Sequence, residues 1–293
     1  MKFRAHETFF VRKGWLSKGM RHIDTCADLF SNREINPMDI LGIGSNMVKS
    51  LRYWLQAVGL TVEIRSPKRM QQFTDLGKII YVEDPYVEEL GTLWLLQYNL
   101  CSSLELASSW YYFFNEFSLT EFTKEDFIIG ISNYAKLKGE SPSVRSLEDD
   151  FNCIINTYIP KYKMNSMRAS PEDNMDCPFG ELGLIALENK KEKIYRKKSP
   201  VKENLPACIL VACILKQTNN STEISLQEIQ NNKGSVGKIF NLDTISLMDI
   251  LNQAEMQGYL KVIRTGGLDV LRIRKDLTYT GCVLDYYAQL HRH

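Results

Sequence analysis

The sequence predicts a mainly α fold with small β wings, an α+β class, with a winged helix-turn-helix unit at each end of an α-helical middle. Three observations carry that expectation. Residues 39–59, DILGIGSNMVKSLRYWLQAVG, read as a helix, a tight turn and a second helix. The stretch that follows alternates like a strand, turns and returns. A second run of two helices and two alternating strands occupies residues 225–274.

In the first run, Met47, Leu51, Trp54, Leu55 and Val58 fall at i, i+4, i+7, i+8 and i+11, one apolar stripe of a helix facing a core. Gly42 and Gly44 supply a permissive turn, and Ser45 or Asn46 can cap the helix, which should start near Asn46. At about 100° per residue, Lys49, Arg52, Tyr53 and Gln56 lie opposite the stripe. Such donors reach phosphates and base edges when a helix enters a major groove. Residues 60–65 then read as a strand, 66–69 as a basic turn, 70–73 as the returning strand, and 74–80 as a short closing helix. The expected contacts to double-stranded DNA are Arg12, Lys13, Lys18, Ser45, Asn46, Lys49, Arg52, Tyr53, Gln56, Lys68 and Arg69. The plainer alternative is an amphipathic helix with Lys and Arg on its wet side.

A chain of 293 residues with 44% hydrophobic content can bury a sizeable core, in about two domains or three small ones. The expected division is 1–83, a DNA-binding unit; 84–160, a central helical domain; 161–204, a linker and basic segment; and 205–293, a second winged unit. No apolar run resembles a signal peptide, and the longest, residues 205–215, is short of the roughly 20 residues a bilayer needs. A soluble, cytoplasmic protein is expected. The seven cysteines are scattered without a C-x-x-C pair, which argues against both a disulfide framework and a zinc cluster. Net charge is only +1, but its distribution is uneven. Residues 1–70 carry 12 Lys and Arg against 6 Asp and Glu, whereas residues 71–160 carry 5 against 14. The basic face therefore belongs to the N-terminal unit.

Residues 2–21 are dense in aromatics and bases, and Phe3, Phe9, Phe10, Trp15 and Leu16 are expected to pack on that unit. Adjacent His6 and Glu7 can serve as acid, base or metal ligand, although neighbours in regular structure point in different directions. Asp84, Glu88 and Glu89 form an acidic segment in which Pro85 can start a helix running from near Tyr86 through Leu100. Glu88 and Glu89 either suit that helix's dipole or contribute to a divalent-ion site. The aromatic run 108–117 either stacks on bases or forms a core helix, and its acidic surroundings favour the core. Further helices are expected over 123–138 and 146–158, with Asp149 and Asp150 at an exposed helix start. Residues 161–177 read as a linker, 178–187 as an apolar helix, and 190–202 as a strand pair with a basic loop. The C-terminal part reads as a buried helix over 205–216, helices over 225–230 and 244–257, and a hairpin turning at Gly266-Gly267. Its second helix exposes Ser246, Asp249, Asn252, Gln253 and Glu255, a surface suited to protein rather than phosphate.

Several motifs together resemble an uncharacterised bacterial domain family of phage-defence gene clusters. They are His6-Glu7-Thr8-Phe9, Arg12 with Gly14-Trp15-Leu16, Lys18-Gly19, Leu41-Gly42-Ile43-Gly44, residues 46–50, Arg52-Tyr53-Trp54, Asp84-Pro85-Tyr86 with Glu88-Glu89, and residues 92–96. The resemblance spans most of the chain and is tightest to about residue 115. That family includes the SspB-type component of single-strand DNA phosphorothioation systems, a DNA nickase. One departure is Gln97, where the family pattern leads one to expect histidine.

The resemblance implies a DNA-binding component of an anti-phage or phosphorothioation-type system, working with other subunits. If it nicks DNA, His6, Glu7, Asp84 and Glu88 are the catalytic candidates among residues matching the motifs. Glu7, Asp84 and Glu88 would then hold Mg or Mn. The alternative is a non-enzymatic regulator or adaptor that recruits a partner enzyme. No phosphate-binding G-x-x-x-x-G-K-[ST] loop is present, so any ATPase activity would lie in another subunit. A homodimer is left open.

Overall fold

A computed structural model of the chain describes residues 1–65, 68–160, 176–265 and 268–292. The expected turn at 66–67, most of the expected linker, 161–175, and the Gly266-Gly267 turn lie outside the described residues. The fold is mixed α/β, helix-rich with small antiparallel sheets. No described helix is long and apolar enough to cross a membrane.

The N-terminal elements are α1 (Trp15–Thr25), α2 (Pro37–Leu41), α3 (Ser45–Ala57), the strands β1 (Thr61–Ile64) and β2 (Met70–Phe73), and α4 (Asp75–Glu83). Pro37 occupies the first turn of α2, and the Asn36 side chain accepts the Met38 N–H, so this short helix is capped by sequence. Gly42 ends it at φ 60, a conformation open to glycine at little cost. The next helix begins at Ser45 with extended Gly44 as its cap residue and no side-chain cap. Neither Ser45 nor Asn46 caps it, because both already lie inside the first turn. Gly19 permits α1 to approach α3 closely, since a Cβ there would lie 2.8 Å from Leu55. Strands β1 and β2 pair antiparallel, Thr61 with Phe73 through Ile64 with Met70.

The middle is organised on α5 (Leu90–Ser102), which is buried on nearly every face, as a helix apolar all round must be. It begins four residues later than the sequence suggests. Asp84 makes a turn instead of letting Pro85 start a helix: its carboxylate accepts the Glu88 and Glu89 N–H groups, and Val87 sits at φ 56. Glu89 thus precedes α5, and Glu88 is not in its first turn. The aromatic run forms α6 (Ser108–Asn115) and is core, with Trp110, Phe113 and Phe114 buried. Next come β3 (Glu121–Phe122), α7 (Lys124–Leu137), opened by a Thr123–Asp126 capping box, and α8 (Val144–Tyr158).

Residues 178–187 are not a helix: a single 3-10 turn, Pro178–Leu182, ends at Gly183 with φ 64 and leads into β4 (Ile185–Asn189). With β5 (Ile194–Lys197) this gives the expected strand pair, and β3 adds on the far side of β5. The C-terminal part comprises α9 (Ala207–Gln217), β6 (Glu223–Ser225), α10 (Leu226–Asn231), α11 (Val236–Ile239), α12 (Thr244–Met256), β7 (Leu260–Thr265), β8 (Leu268–Ile273) and α13 (Tyr279–Leu290). The hairpin β7–β8 forms in register, Leu260 with Ile273 through Thr265 with Leu268. Helix α13 packs on α9 and α4, and α5 packs on α9 and α11, so one hydrophobic core runs from Val11 to Tyr287.

Candidate nucleic-acid interface

The first turn of α3 is open to solvent. Ser45, Asn46 and Lys49 are exposed there, and Lys49 reaches back to the Asn46 amide oxygen at 3.4 Å. The expected apolar stripe holds for Leu51, Trp54, Leu55 and Val58, and Met47 is half-buried against the core.

The other residues expected on the wet face are held by the protein itself. Arg52 donates to Glu63 of β1, through Nε at 2.9 Å and through its terminal nitrogen. Arg69 donates to the same carboxylate at 2.6 Å, and Arg65 stands 3.7 Å from it. The Glu63 side chain is only 10% exposed. Burial would raise its pKa, yet the hydrogen bonds from Arg52 and Arg69 outweigh burial and hold it below the ordinary value. Tyr53 is buried rather than exposed, and burial with nearby Asp150 pushes its phenol pKa well up. The helical repeat turns Tyr53 away from the α1 side, but the N-terminal segment covers it there: the His6 ring lies 6.5 Å away and the Lys2 ammonium 5.8 Å above. Gln56 turns back to the Arg52 carbonyl at 3.0 Å.

Of the preceding basic residues, Arg12 is buried with its guanidinium over the Trp15 ring. Lys18 is exposed and donates to the Leu41 carbonyl at the end of α2, at 3.0 Å. Lys13 is exposed and stands 3.7 Å from Glu88. Lys68 is exposed beside Arg69 at the hairpin. Of the expected contacts, Ser45, Asn46 and Lys49 at the α3 first turn, Lys68 and Arg69 at the hairpin, and Lys13 and Lys18 are exposed.

Among the described residues no hydrogen bond or ion pair joins His6 or Glu7 to Asp84 or Glu88. His6 is 1% exposed, its Nδ1 accepts the Thr8 N–H at 3.1 Å, and its Nε2 lies 2.7 Å from Asp150. Asp150, also 1% exposed, further accepts the Arg4 N–H and the Ser109 hydroxyl. The exposed helix start expected for Asp150 is thus a buried anchor, because α8 begins earlier, at Val144, and turns this carboxylate inward. The rings of Trp54 and Trp110 enclose His6 at 6.5 and 5.7 Å. Reaching this pocket bends the backbone: Arg4, Glu7 and Thr8 all have positive φ, uncommon for residues other than glycine. Glu7 is half-buried, and its carboxylate makes no hydrogen bond or ion pair with the described residues.

Asp84 is buried, its oxygens engaged by the Glu88 and Glu89 amides, while the Glu88 side chain is 60% exposed. Among the described residues no group of three His, Cys, Asp or Glu side chains could hold a metal ion. The trio Glu7, Asp84 and Glu88 does not fit a divalent cation in this arrangement. Gln97 is buried and bridges α5 to its neighbours, accepting the Tyr158 hydroxyl at 2.6 Å and donating to the Ile239 carbonyl at 3.3 Å.

Sequence reasoning missed Glu63 and Asp150 as organising acids. Glu63 was legible as a lone acid between basic residues on strand and turn. Asp150 gave no such signal, being one of two adjacent acids near a helix start.

Fold and site together define a helix-rich α/β protein whose N-terminal unit presents a small basic surface beside a sealed His–Asp anchor. The chain belongs to the family described as a protein of unknown function, DUF4007, which matches residues 3–287. It is also similar to two solved structures, each 28% identical and each covering 100% of this chain and 89% of the other. One is a magnesium ion-bound SspB crystal structure, at a TM-score of 0.85, and the other an SspB crystal structure, at 0.84. No protein with curated annotation matches significantly.

Proposed function

We propose that this chain is a DNA-binding component of a bacterial anti-phage system of the phosphorothioation type. In this reading residues 1–83 act as a winged helix-turn-helix unit, with α3 as the reading helix and the β1–β2 hairpin as the wing. The observation that carries it is the uncovered first turn of α3, where Ser45, Asn46 and Lys49 stand together with no other part of the described chain over them. The N-terminal residues of a recognition helix are the ones that meet base edges. The basic hairpin end, Lys68 with Arg65 and Arg69, lies where a wing meets phosphate. Full-length likeness to SspB supports the same system. The C-terminal half, with acidic and amide side chains on α12, is the part that engages other subunits.

The direct test is binding of a fluorescent duplex across a salt series. Wild type should bind with affinity falling linearly in the logarithm of salt, and Lys49→Ala should weaken binding and flatten that slope by about one. Equal affinity and slope in the variant would place the DNA face elsewhere.

A second reading, metal-dependent nicking, is favoured by the magnesium in the related SspB structure. Conversion of supercoiled plasmid to relaxed circles with Mg or Mn separates it from a purely binding role.

A further inference from the structure

Strand β5 ends in Arg196-Lys197, followed by Lys198, and alternation along the strand turns Lys197 inward. Its ammonium donates to the carbonyls of Phe113 and Phe117, each at 2.6 Å, at the C-terminal end of α6. It also lies 4.6 Å from the Phe113 ring centroid. Two of its three donors are thereby fixed, and one remains. Beside it opens a cavity of about 430 Å³ whose wall includes Phe114, Phe117, Gln230, Asn241 and the two lysines Lys198 and Lys238.

Charge in this cavity is unbalanced. Lys198 and Lys238 form no ion pair among the described residues. The one acid in the wall, Asp243, is committed to capping α12, accepting the Ser246 N–H at 2.7 Å. Burial of the Lys197 ammonium, reinforced by the charge of Lys238, pushes its pKa down to about 7. Lys197, Lys198 and Lys238 line one hollow against the single carboxylate of Asp243, and aromatic, hydroxyl and amide groups form most of the rest of the wall. That combination selects a small anion with hydrogen-bond acceptors.

We propose that this cavity is a binding site for a dianionic phosphate group, held between Lys197 and Lys238. Its size admits a phosphate carrying a sugar or a base as well as the free ion. The site lies outside the α3 surface and stands whether or not that surface binds DNA.

The test follows the Lys197 Cε resonance in ¹³C-lysine-labelled full chain through neutral pH, with and without inorganic phosphate. Lys197→Met identifies the signal by its disappearance. A bound anion favours the charged amine, so phosphate should raise the Lys197 titration midpoint by about one unit. In Lys238→Gln the midpoint should already be higher without ligand, and phosphate should no longer move it. Identical wild-type titrations with and without phosphate would overturn the proposal, as would an unaltered phosphate response in Lys238→Gln. Nucleoside 5′-monophosphate and a 5′-phosphorylated oligonucleotide form the other two arms. Whichever shifts the midpoint at the lowest concentration identifies the natural source of the group.

Discussion

Arg52 on α3 and Glu63 on β1 form an ion pair that binds the helix to the hairpin that follows it. The same carboxylate gathers Arg69, so the charge that sequence assigns to DNA is partly neutralised within the protein.

Glu63→Gln keeps the shape and removes that neutralisation. Duplex binding should tighten, and its salt dependence should steepen by about one to two units as Arg52 and Arg69 become free for phosphate. Fluorescence anisotropy across a salt series reads both quantities. Weaker binding in Glu63→Gln would instead mean that the carboxylate positions the arginines for DNA.

The His6–Asp150 pair should behave as a structural clamp. His6→Gln or Asp150→Asn alone leaves a buried polar partner poorly satisfied, at a cost of about 1–3 kcal/mol each. Urea melts of both singles and the double should show a coupling of about 0.5–3 kcal/mol, the double costing less than the sum. Strict additivity would mean that the two side chains stabilise the fold independently.

The acidic segment gives two separable outcomes. Asp84→Asn weakens a carboxylate that holds two backbone amides and should cost about 1.5–3 kcal/mol. Glu88→Gln, at an exposed side chain, should stay within about 0.5 kcal/mol of wild type. Thermal melting with excess Mg or Mn should leave wild type unmoved. A metal-induced rise that disappears in Glu88→Gln, together with plasmid nicking, would establish a shared ion that this arrangement does not provide.

Lys197 gives a pH dependence of definite sign. Its pKa is about 7 in the folded chain and about 10.5 when freed, so the unfolded state binds more protons between those values. Its burial therefore destabilises the fold below about pH 7, and that penalty lifts progressively as pH rises above 7. Denaturant midpoints should increase from neutral to mildly alkaline pH, and Lys197→Met should flatten the increase. A parallel pH profile in the variant would locate the titration elsewhere.

Much of the fold was legible because the strongest patterns were periodic. The stripe Leu51, Trp54, Leu55, Val58 fixed α3, and alternation fixed the hairpins β1–β2 and β7–β8. The illegible parts depended on distant partners. Tyr53 reads as exposed on a helical wheel and is buried because the N-terminal segment folds over it. Residues 178–187 are apolar enough for a helix, but their strand edge is matched by β5, and β3 joins that sheet from 63 or more residues away in sequence. The acids near Pro85 looked like a helix start, yet side-chain capping by Asp84 turned the chain first. Asp150 could not be ranked from composition, since it acquires its role from His6 on another element.

Helix α13 closes over α5 and α4 at the far end of the chain. The Tyr286 hydroxyl accepts the Gly91 N–H at 3.0 Å, Tyr287 meets Thr92 at 2.6 Å, and His291 reaches Glu83 at 3.0 Å. Residues nearly 200 positions downstream thus seal the start of the central helix. Full burial of this junction requires loop closure across nearly 200 residues. A chain cut before Tyr286 should therefore leave apolar surface of α4 and α5 exposed and aggregate rather than yield a working N-terminal half.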